Sequence, residues 1–261
     1  MTIAVDIGNS NIVIGYHCDD TWQYSFRLET RADYPAEKYI LLLKEQFASH
    51  KTALIPGIRV VISSVVPRLR PVFIAVMQEL TGGIPVLVAP DLYSRLPVNV
   101  TNPQEIGTDL VANAVAAWDL YRENVIIVDF GTALTLTCVS EHAVIKGIAI
   151  APGLKTAVKS LFSDTAQLPE VSLTTPVSVL GTNTIDAIRA GIVFGYQGMV
   201  ETLVKRAKEE MASNARVIFT GGMAKVIMPL TSVYDHYHPH LTLDGLRIIG
   251  RYSEIAPFTP K

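Results

Sequence analysis

Cysteine is scarce. Cys18 and Cys138 are the only two in 261 residues, too few for a disulfide framework or a cysteine-rich zinc site, and a reducing cytoplasmic setting is expected. Positive charge is not in excess either. Lysine and arginine number 22 against 24 aspartates and glutamates, a net −2, so no basic field exists to hold nucleic acid or an anionic membrane, and neither partner is expected. Apolar runs are short, broken by Gly, Pro or charge before the roughly 18 to 20 residues that a membrane helix needs. No charged-then-apolar leader is read at the start. What the chain does have is a hydrophobic share of 49%, ample for the core of one large domain or two modest ones.

The apolar residues alternate between strand and helix spacing. Ile3-Ala4-Val5 leads into Asp6-Ile7-Gly8-Asn9-Ser10, and Ile12-Val13-Ile14 follows, predicting two strands about a tight turn. Trp22, Tyr24 and Phe26 alternate as on a half-buried strand, and Tyr39 to Phe47 has helical spacing. Strands are predicted at Arg59 to Ile62 and Pro85 to Val88, with a helix over Val72 to Leu80 between them. After a helix over Leu110 to Tyr121 the opening theme returns: Val125-Ile126-Ile127-Val128 runs into Asp129-Phe130-Gly131-Thr132 and then Leu134 to Thr137. The two copies lie close to half the chain apart, which points to duplication of one unit. Lobes of residues 1–115 and 116–261 are expected, the boundary falling at that helix. Further on, Pro169 to Pro176 reads as a loop, Thr184 to Lys208 as a long helix, and Val217-Ile218-Phe219 as a strand ending in Thr220-Gly221-Gly222.

An aspartate at a strand end can hold a hydrated Mg²⁺ that bridges to phosphate oxygens, which makes Asp6 and Asp129 candidates. Gly8 and Gly131 let the main chain turn sharply beside a ligand, while Asn9, Ser10 and Thr132 can donate to phosphate. Such turns suit a nucleoside triphosphate, and Gly221-Gly222 would let an adenine or ribose lie against backbone. A lone Asp-x-Gly is more simply a hairpin turn. Two copies after two apolar strands favour the phosphate reading. Asp109, where the Leu110 to Tyr121 helix starts, has two open readings: a cap accepting backbone N–H groups, or a general base for a substrate hydroxyl.

In chain order, Asp6-Ile7-Gly8-Asn9-Ser10, Ser63-Ser64-Val65-Val66-Pro67, Gly107-Thr108-Asp109, Asp129-Phe130-Gly131-Thr132-Ala133, Ala151-Pro152-Gly153-Leu154, Asn183-Thr184 and Thr220-Gly221-Gly222 resemble the motifs of type III pantothenate kinases. Leu161-Phe162 and Ala166-Gln167-Leu168-Pro169 follow the Pro-Gly-Leu turn as they do in that family. The resemblance spans nearly the whole chain. It implies an α/β, duplicated ribonuclease-H-like fold of the actin-like ATPase and acetate and sugar kinase superfamily, two lobes of mixed sheets flanked by helices, assembled as a homodimer. The activity implied is ATP-dependent phosphorylation of pantothenate, the first step of coenzyme A synthesis. By the same resemblance Asp6, Asn9 and Thr132 surround the ATP phosphates and Mg²⁺, and Asp129 lies near a monovalent cation, K⁺ or NH₄⁺. Asp109 is then the base, Gly107 and Thr108 present the substrate loop, Thr184 reaches pantothenate from the partner subunit, and Gly221 and Gly222 line the adenosine pocket.

Several positions depart from the family pattern. Leu110 stands where the family has an arginine, suited as a bidentate donor to the pantothenate carboxylate. No aromatic residue occurs in Val98-Asn99-Val100-Thr101, Thr137 replaces an aspartate, and Lys146 replaces a glycine. Lys146, Lys155 and Arg189 are the cations considered as substitutes for the missing one. The alternative readings are a kinase of a related alcohol and a non-catalytic nucleotide- or metabolite-binding regulator. Outside the motifs, His236, His238 and His240 are expected in a solvated strand or turn rather than at a metal. Cys138 is expected buried, Trp118 packed, and Arg68 and Arg70 on a solvated surface.

Overall fold

The computed structural model describes residues 1–52, 54–55, 57–163 and 171–253; the Ala166-Gln167-Leu168-Pro169 motif lies outside them. Two compact units account for the chain: Met1–Ala116 joined by the C-terminal segment from Leu241, and Ala117–His240.

The first unit holds a five-stranded mixed sheet. Its strands are β1 (Thr2–Ile7), β2 (Asn11–Cys18), β3 (Thr21–Glu29), β4 (Arg59–Ser64) and β5 (Val86–Leu87), in the order β3-β2-β1-β4-β5. β1 to β3 form an antiparallel meander, and β4 joins β1 in parallel with Asp6 opposite Ser63. Exposure alternates residue by residue along β3, as Trp22, Tyr24 and Phe26 predict. Helices α1 (Ala36–Ser49) and α2 (Leu69–Thr81) pack on each other. They bury Tyr39, Leu43, Phe73 and Met77 with Ile3, Val5, Ile12 and Ile62 of the sheet. Each such side chain contributes on the order of 1.5 to 3 kcal/mol when fully removed from water.

α2 begins at Leu69 rather than near Val72. Pro71 falls in its first turn, where the missing N–H would have no helical partner anyway. Helix α3 (Thr108–Tyr121) starts in this unit and leads into the second.

The second unit repeats the pattern. β6 (Val125–Phe130), β7 (Ala133–Val139), β8 (Ile145–Pro152), β9 (Arg216–Thr220) and β10 (His236–Tyr237) are ordered β8-β7-β6-β9-β10, with β6 antiparallel to β7 and parallel to β9. Strand by strand this is the first sheet again, with Asp129 opposite Thr220 as Asp6 is opposite Ser63. Helices α4 (Leu154–Ser163), α5 (Thr184–Glu210) and α6 (Ala224–Ile227) complete it. Asn183 caps α5 by accepting the Asp186 N–H at 2.9 Å. Val193, Val200 and Val204 of α5 face Ile126, Val128, Val217 and Phe219 in the core, where Phe130 and Phe219 meet edge-on at 4.9 Å.

The last helix, α7 (Leu241–Tyr252), packs on β1 and β4 of the first unit. A linear division at residue 115 puts this helix with the second lobe; its packing puts it with the first. Gly245 explains how closely it sits, because a Cβ there would run into the backbone of Ala112 in α3. Among the described residues no helix is long and apolar enough to cross a membrane.

Candidate active site

In the first unit the candidate groups gather at the C-terminal ends of β1 and β4, where ligands bind in open α/β sheets. Asp6 is the penultimate residue of β1. The turn that follows is tied at both ends: the Gly8 N–H donates to the Asn11 carbonyl at 3.0 Å, and Thr30 of the β3 exit donates its hydroxyl to the Gly8 carbonyl at 2.7 Å and its N–H to Ser10 at 3.1 Å. A Cβ on Gly8 would stand 3.1 Å from the Asn11 carbonyl oxygen, a tight contact that the turn could take only by shifting a few tenths of an ångström. Asn9 and Ser10 project from it exposed.

Ser63 joins this turn to the α3 loop. Its hydroxyl donates to Asp6 Oδ1 at 3.0 Å and lies 2.9 Å from the Thr108 hydroxyl. Ser63 and Thr108 are both buried, at 0% and 5% exposure. Asp109 is the next residue, in the first turn of α3. Its Oδ1 accepts the Leu110 N–H at 2.9 Å and fills the space where a Cβ on Gly107 would sit. Burial pushes the Asp109 carboxyl above the usual carboxylate range, and backbone N–H groups offset this only in part. Leu110 is buried at 6% exposure.

The second unit builds the matching arrangement at the ends of β6 and β9. Asp129 is the penultimate residue of β6. The Gly131 N–H donates to the Ala133 carbonyl at 3.0 Å, closing the turn. Thr132 is exposed, and its carbonyl accepts the Gly153 N–H at 2.9 Å and the Thr156 hydroxyl at 2.7 Å. The Ala151-Pro152-Gly153-Leu154 motif thus clamps the turn. Tyr196 of α5 fixes the clamp by donating to the Pro152 carbonyl at 2.6 Å, and a side chain at Gly153 would collide with the carbonyls of Gly131 and Thr132.

Gly221, at the end of β9, has a φ of +88°, and a Cβ there would strike Asp129 Oδ1 and the Phe130 backbone. Gly222 is exposed beside it. Asp129, Gly131, Thr132 and Gly221 are therefore one cluster. Thr184 is exposed at the first position of α5, and among the described residues no hydrogen bond joins it to that cluster.

Both the sequence and the fold have known relatives. The family model for type III pantothenate kinase matches residues 2–206. A type III pantothenate kinase from Moorella thermoacetica is 38% identical over 250 residues, covering 95% of this chain and 98% of its own. The chain belongs to the type III pantothenate kinase family. Two solved structures share the fold at lower identity. One is the activator of the 2-hydroxyisocaproyl-CoA dehydratase from Clostridium difficile (TM-score 0.55, 12% identity, 99% of each chain). The other is MreB 5 of Spiroplasma citri (TM-score 0.55, 11% identity, 97% of this chain and 96% of that one). The fold is thus the duplicated, actin-like ATPase and sugar kinase architecture.

Two residues here carry roles that the sequence reading did not assign, although Ser63 stands in one of the family motifs. Ser63 lies in an apolar β-branched run and reads simply as a strand end; Arg70 reads as surface. The Arg70 guanidinium is instead partly buried and donates from Nε and Nη2 to the Ser64 carbonyl, at 3.2 and 2.9 Å, a correction with a plain cause: the last carbonyl of β4 needs a donor. Of the cations considered in place of the family arginine, Arg189 is bound to Asp186 at 2.9 Å and to the Ser172 carbonyl at 3.2 Å, while Lys146 and Lys155 are exposed side chains of the second unit.

The histidines are spent on neighbours. His238 shares a hydrogen bond of 2.7 Å with the Tyr121 hydroxyl, and His236 stacks on the same ring and reaches Arg216 at 3.0 Å. Cys138 is 8% exposed, and burial pushes its thiol up to about 11. Trp118 is half-buried under the Arg122 guanidinium, 5.5 Å from the ring centre.

Proposed function

We propose that the protein transfers the γ-phosphoryl group of ATP to the primary hydroxyl of pantothenate, the first step of coenzyme A synthesis. The carrying observation, in a chain of this family, is Asp109: a carboxyl raised by burial, at the start of α3, linked through Thr108 and Ser63 to the Asp6 strand end. A carboxylate whose pKa is lifted towards neutrality is a better proton acceptor than an exposed one. Asp109 takes the hydroxyl proton as the substrate oxygen bonds to the γ-phosphorus; the bond to the β,γ-bridging oxygen breaks, and ADP leaves. Asn9, Ser10 and Thr132 donate to phosphate oxygens, Gly221 and Gly222 lie against the adenosine, and Gly107, Thr108 and Thr184 hold the acceptor.

The donor sets fit the expected ions. The first unit offers the Asp6 carboxylate at a strand end, with the Ser63 hydroxyl beside it, which suits Mg²⁺, a hard ion commonly held by one carboxylate, waters and phosphates. Mg²⁺ supplies charge neutralisation on the β- and γ-phosphates. Asp129, with only oxygen donors in the turn beside it, suits a monovalent cation, K⁺ or NH₄⁺.

Self-association is part of the same reading. β8 is an edge strand, and its Ile150 is 69% exposed. It borders an apolar groove of about 220 Å³ that includes Leu134, Leu136, Met199 and Leu203. Gly191, Gly195 and Gly198 sit exposed on α5 with open space where a Cβ would be. Unpaired apolar edges are ordinarily covered, and a second copy is the occupant this reading assigns. The test is phosphopantothenate formation with ATP and Mg²⁺, in K⁺ against Na⁺, with the mass of the species measured by light scattering. Absence of turnover from folded protein would overturn the kinase, and a monomer would overturn the dimer.

A further inference from the structure

With Leu110 buried where relatives of this pattern carry a cation, the acceptor's anionic end lacks its expected partner. The first unit holds an unspent donor elsewhere. Tyr93 lies in the 3₁₀ turn Pro90–Arg95 that follows β5, and is 4% exposed. Its hydroxyl is buried and has no hydrogen-bond partner among the described residues. Buried tyrosine hydroxyls normally find one, because leaving the group dry and unpaired is costly. A costly orphan beside a reactive carboxyl is a mark of a site that a ligand completes.

The surroundings of that hydroxyl are specific. The phenol feels the Arg70 guanidinium and the carboxylates of Asp109 and Asp91, and burial dominates, pushing it up to about 12. It is therefore a neutral donor at any working pH. Arg70 is held by its two bonds to the Ser64 carbonyl, one residue from the Ser63 hydroxyl that reaches Thr108. Those bonds use Nε and Nη2 and leave the Nη1 donors unspent. A fixed guanidinium with a neutral hydroxyl donor matches a ligand that only accepts, and a carboxylate takes such a pair best.

We propose that Arg70 and the Tyr93 hydroxyl bind the carboxylate of the acceptor, doing from α2 and the 3₁₀ turn what an arginine at position 110 would do from α3. This rests on the kinase reading above. It adds the residues that select an acidic alcohol over a neutral one.

Tyr93→Phe separates this role from a structural one, because it removes an unpartnered hydroxyl and no packing. The experiment compares the parent, Tyr93→Phe and Arg70→Gln with pantothenate and with pantothenol, in which an alcohol replaces the carboxylate. For Tyr93→Phe, KM for pantothenate rises about tenfold or more, KM for pantothenol and kcat stay put, and the melting temperature does not fall. Arg70→Gln erases the parent's preference for the acid. Equal KM changes with both acceptors, no change in Tyr93→Phe, or a lower melting temperature for it would each overturn the inference while leaving the kinase intact. A parent that turns over neither acceptor overturns the kinase reading and this inference with it.

Discussion

The Ser63 hydroxyl stands between Asp6 and Thr108, 3.0 Å from the carboxylate and 2.9 Å from the second hydroxyl. One buried side chain thus ties the end of β1 to the start of α3. Replacing it leaves the Thr108 hydroxyl short of a partner in a dry setting, a cost of about 1 to 3 kcal/mol. Ser63→Ala is expected to lose that much in urea unfolding. It is also expected to raise KM for ATP and lower kcat together, since it loosens Asp6 and Asp109 at once. Unchanged kinetics with the expected loss of stability would confine Ser63 to a structural role.

Asp109→Asn separates catalysis from stability. The folded carboxyl is raised above its unfolded value by burial, so the native state holds its proton more tightly than the unfolded chain. As pH rises from the ordinary carboxylate range through the raised value, this group's contribution turns against the fold. At pH 7 the asparagine variant is expected to melt no lower than the parent, and higher if the penalty dominates. Turnover is expected to fall by about 10²- to 10⁴-fold, the usual contribution of a general base. In the parent, kcat/KM for pantothenate should climb with pH through a limb above that of an exposed aspartate. A limb at the ordinary aspartate value would argue against Asp109 as the titrating base.

Gly221→Ala tests the second strand end. The position has φ +88°, and the new methyl would meet Asp129 Oδ1 and the Phe130 backbone. The left-handed backbone alone costs a side chain about 1 to 2 kcal/mol, and relief of the contact must displace Asp129. A destabilisation above about 2 kcal/mol in thermal or chemical unfolding is expected, with weakened ATP binding by calorimetry. Ordinary ATP affinity in the variant would show that Asp129 does not respond to this contact.

The two thiols should differ sharply. Cys138 is buried and pushed up to about 11, whereas Cys18 is partly exposed. A thiol reagent at pH 8 is expected to label Cys18 in the native protein and Cys138 only after denaturant is added, because the thiolate is the reacting form. Mass spectrometry of the labelled peptides reads this directly.

Much of the fold was legible because the sequence carries it locally. The runs before Asp6 and Asp129 are continuous β-branched and apolar stretches, each ending in the same short turn, and both became the central strand of a five-stranded sheet. Gly8 and Gly131 were readable for the same reason, as their turns close on residues two or three positions away. Ser63, Arg70 and Tyr93 were not. Their significance comes from partners distant in sequence: Ser63 lies 57 residues from Asp6 and 45 from Thr108. A serine at the end of an apolar run, or an arginine after a proline, has no periodicity that betrays such a partner. α7 escaped for a related reason: its amphipathic pattern says that it covers something, not which sheet.

That last helix has a consequence for how the chain is made. β1 and β4 precede the whole second unit in the chain, yet they pack against α7, residues 241–252, which follows it. Leu246 and Ile249, both at 0% exposure, arrive after the entire second unit has been synthesised. The first unit must therefore hold an unfinished apolar face until α7 follows the whole of the second unit out.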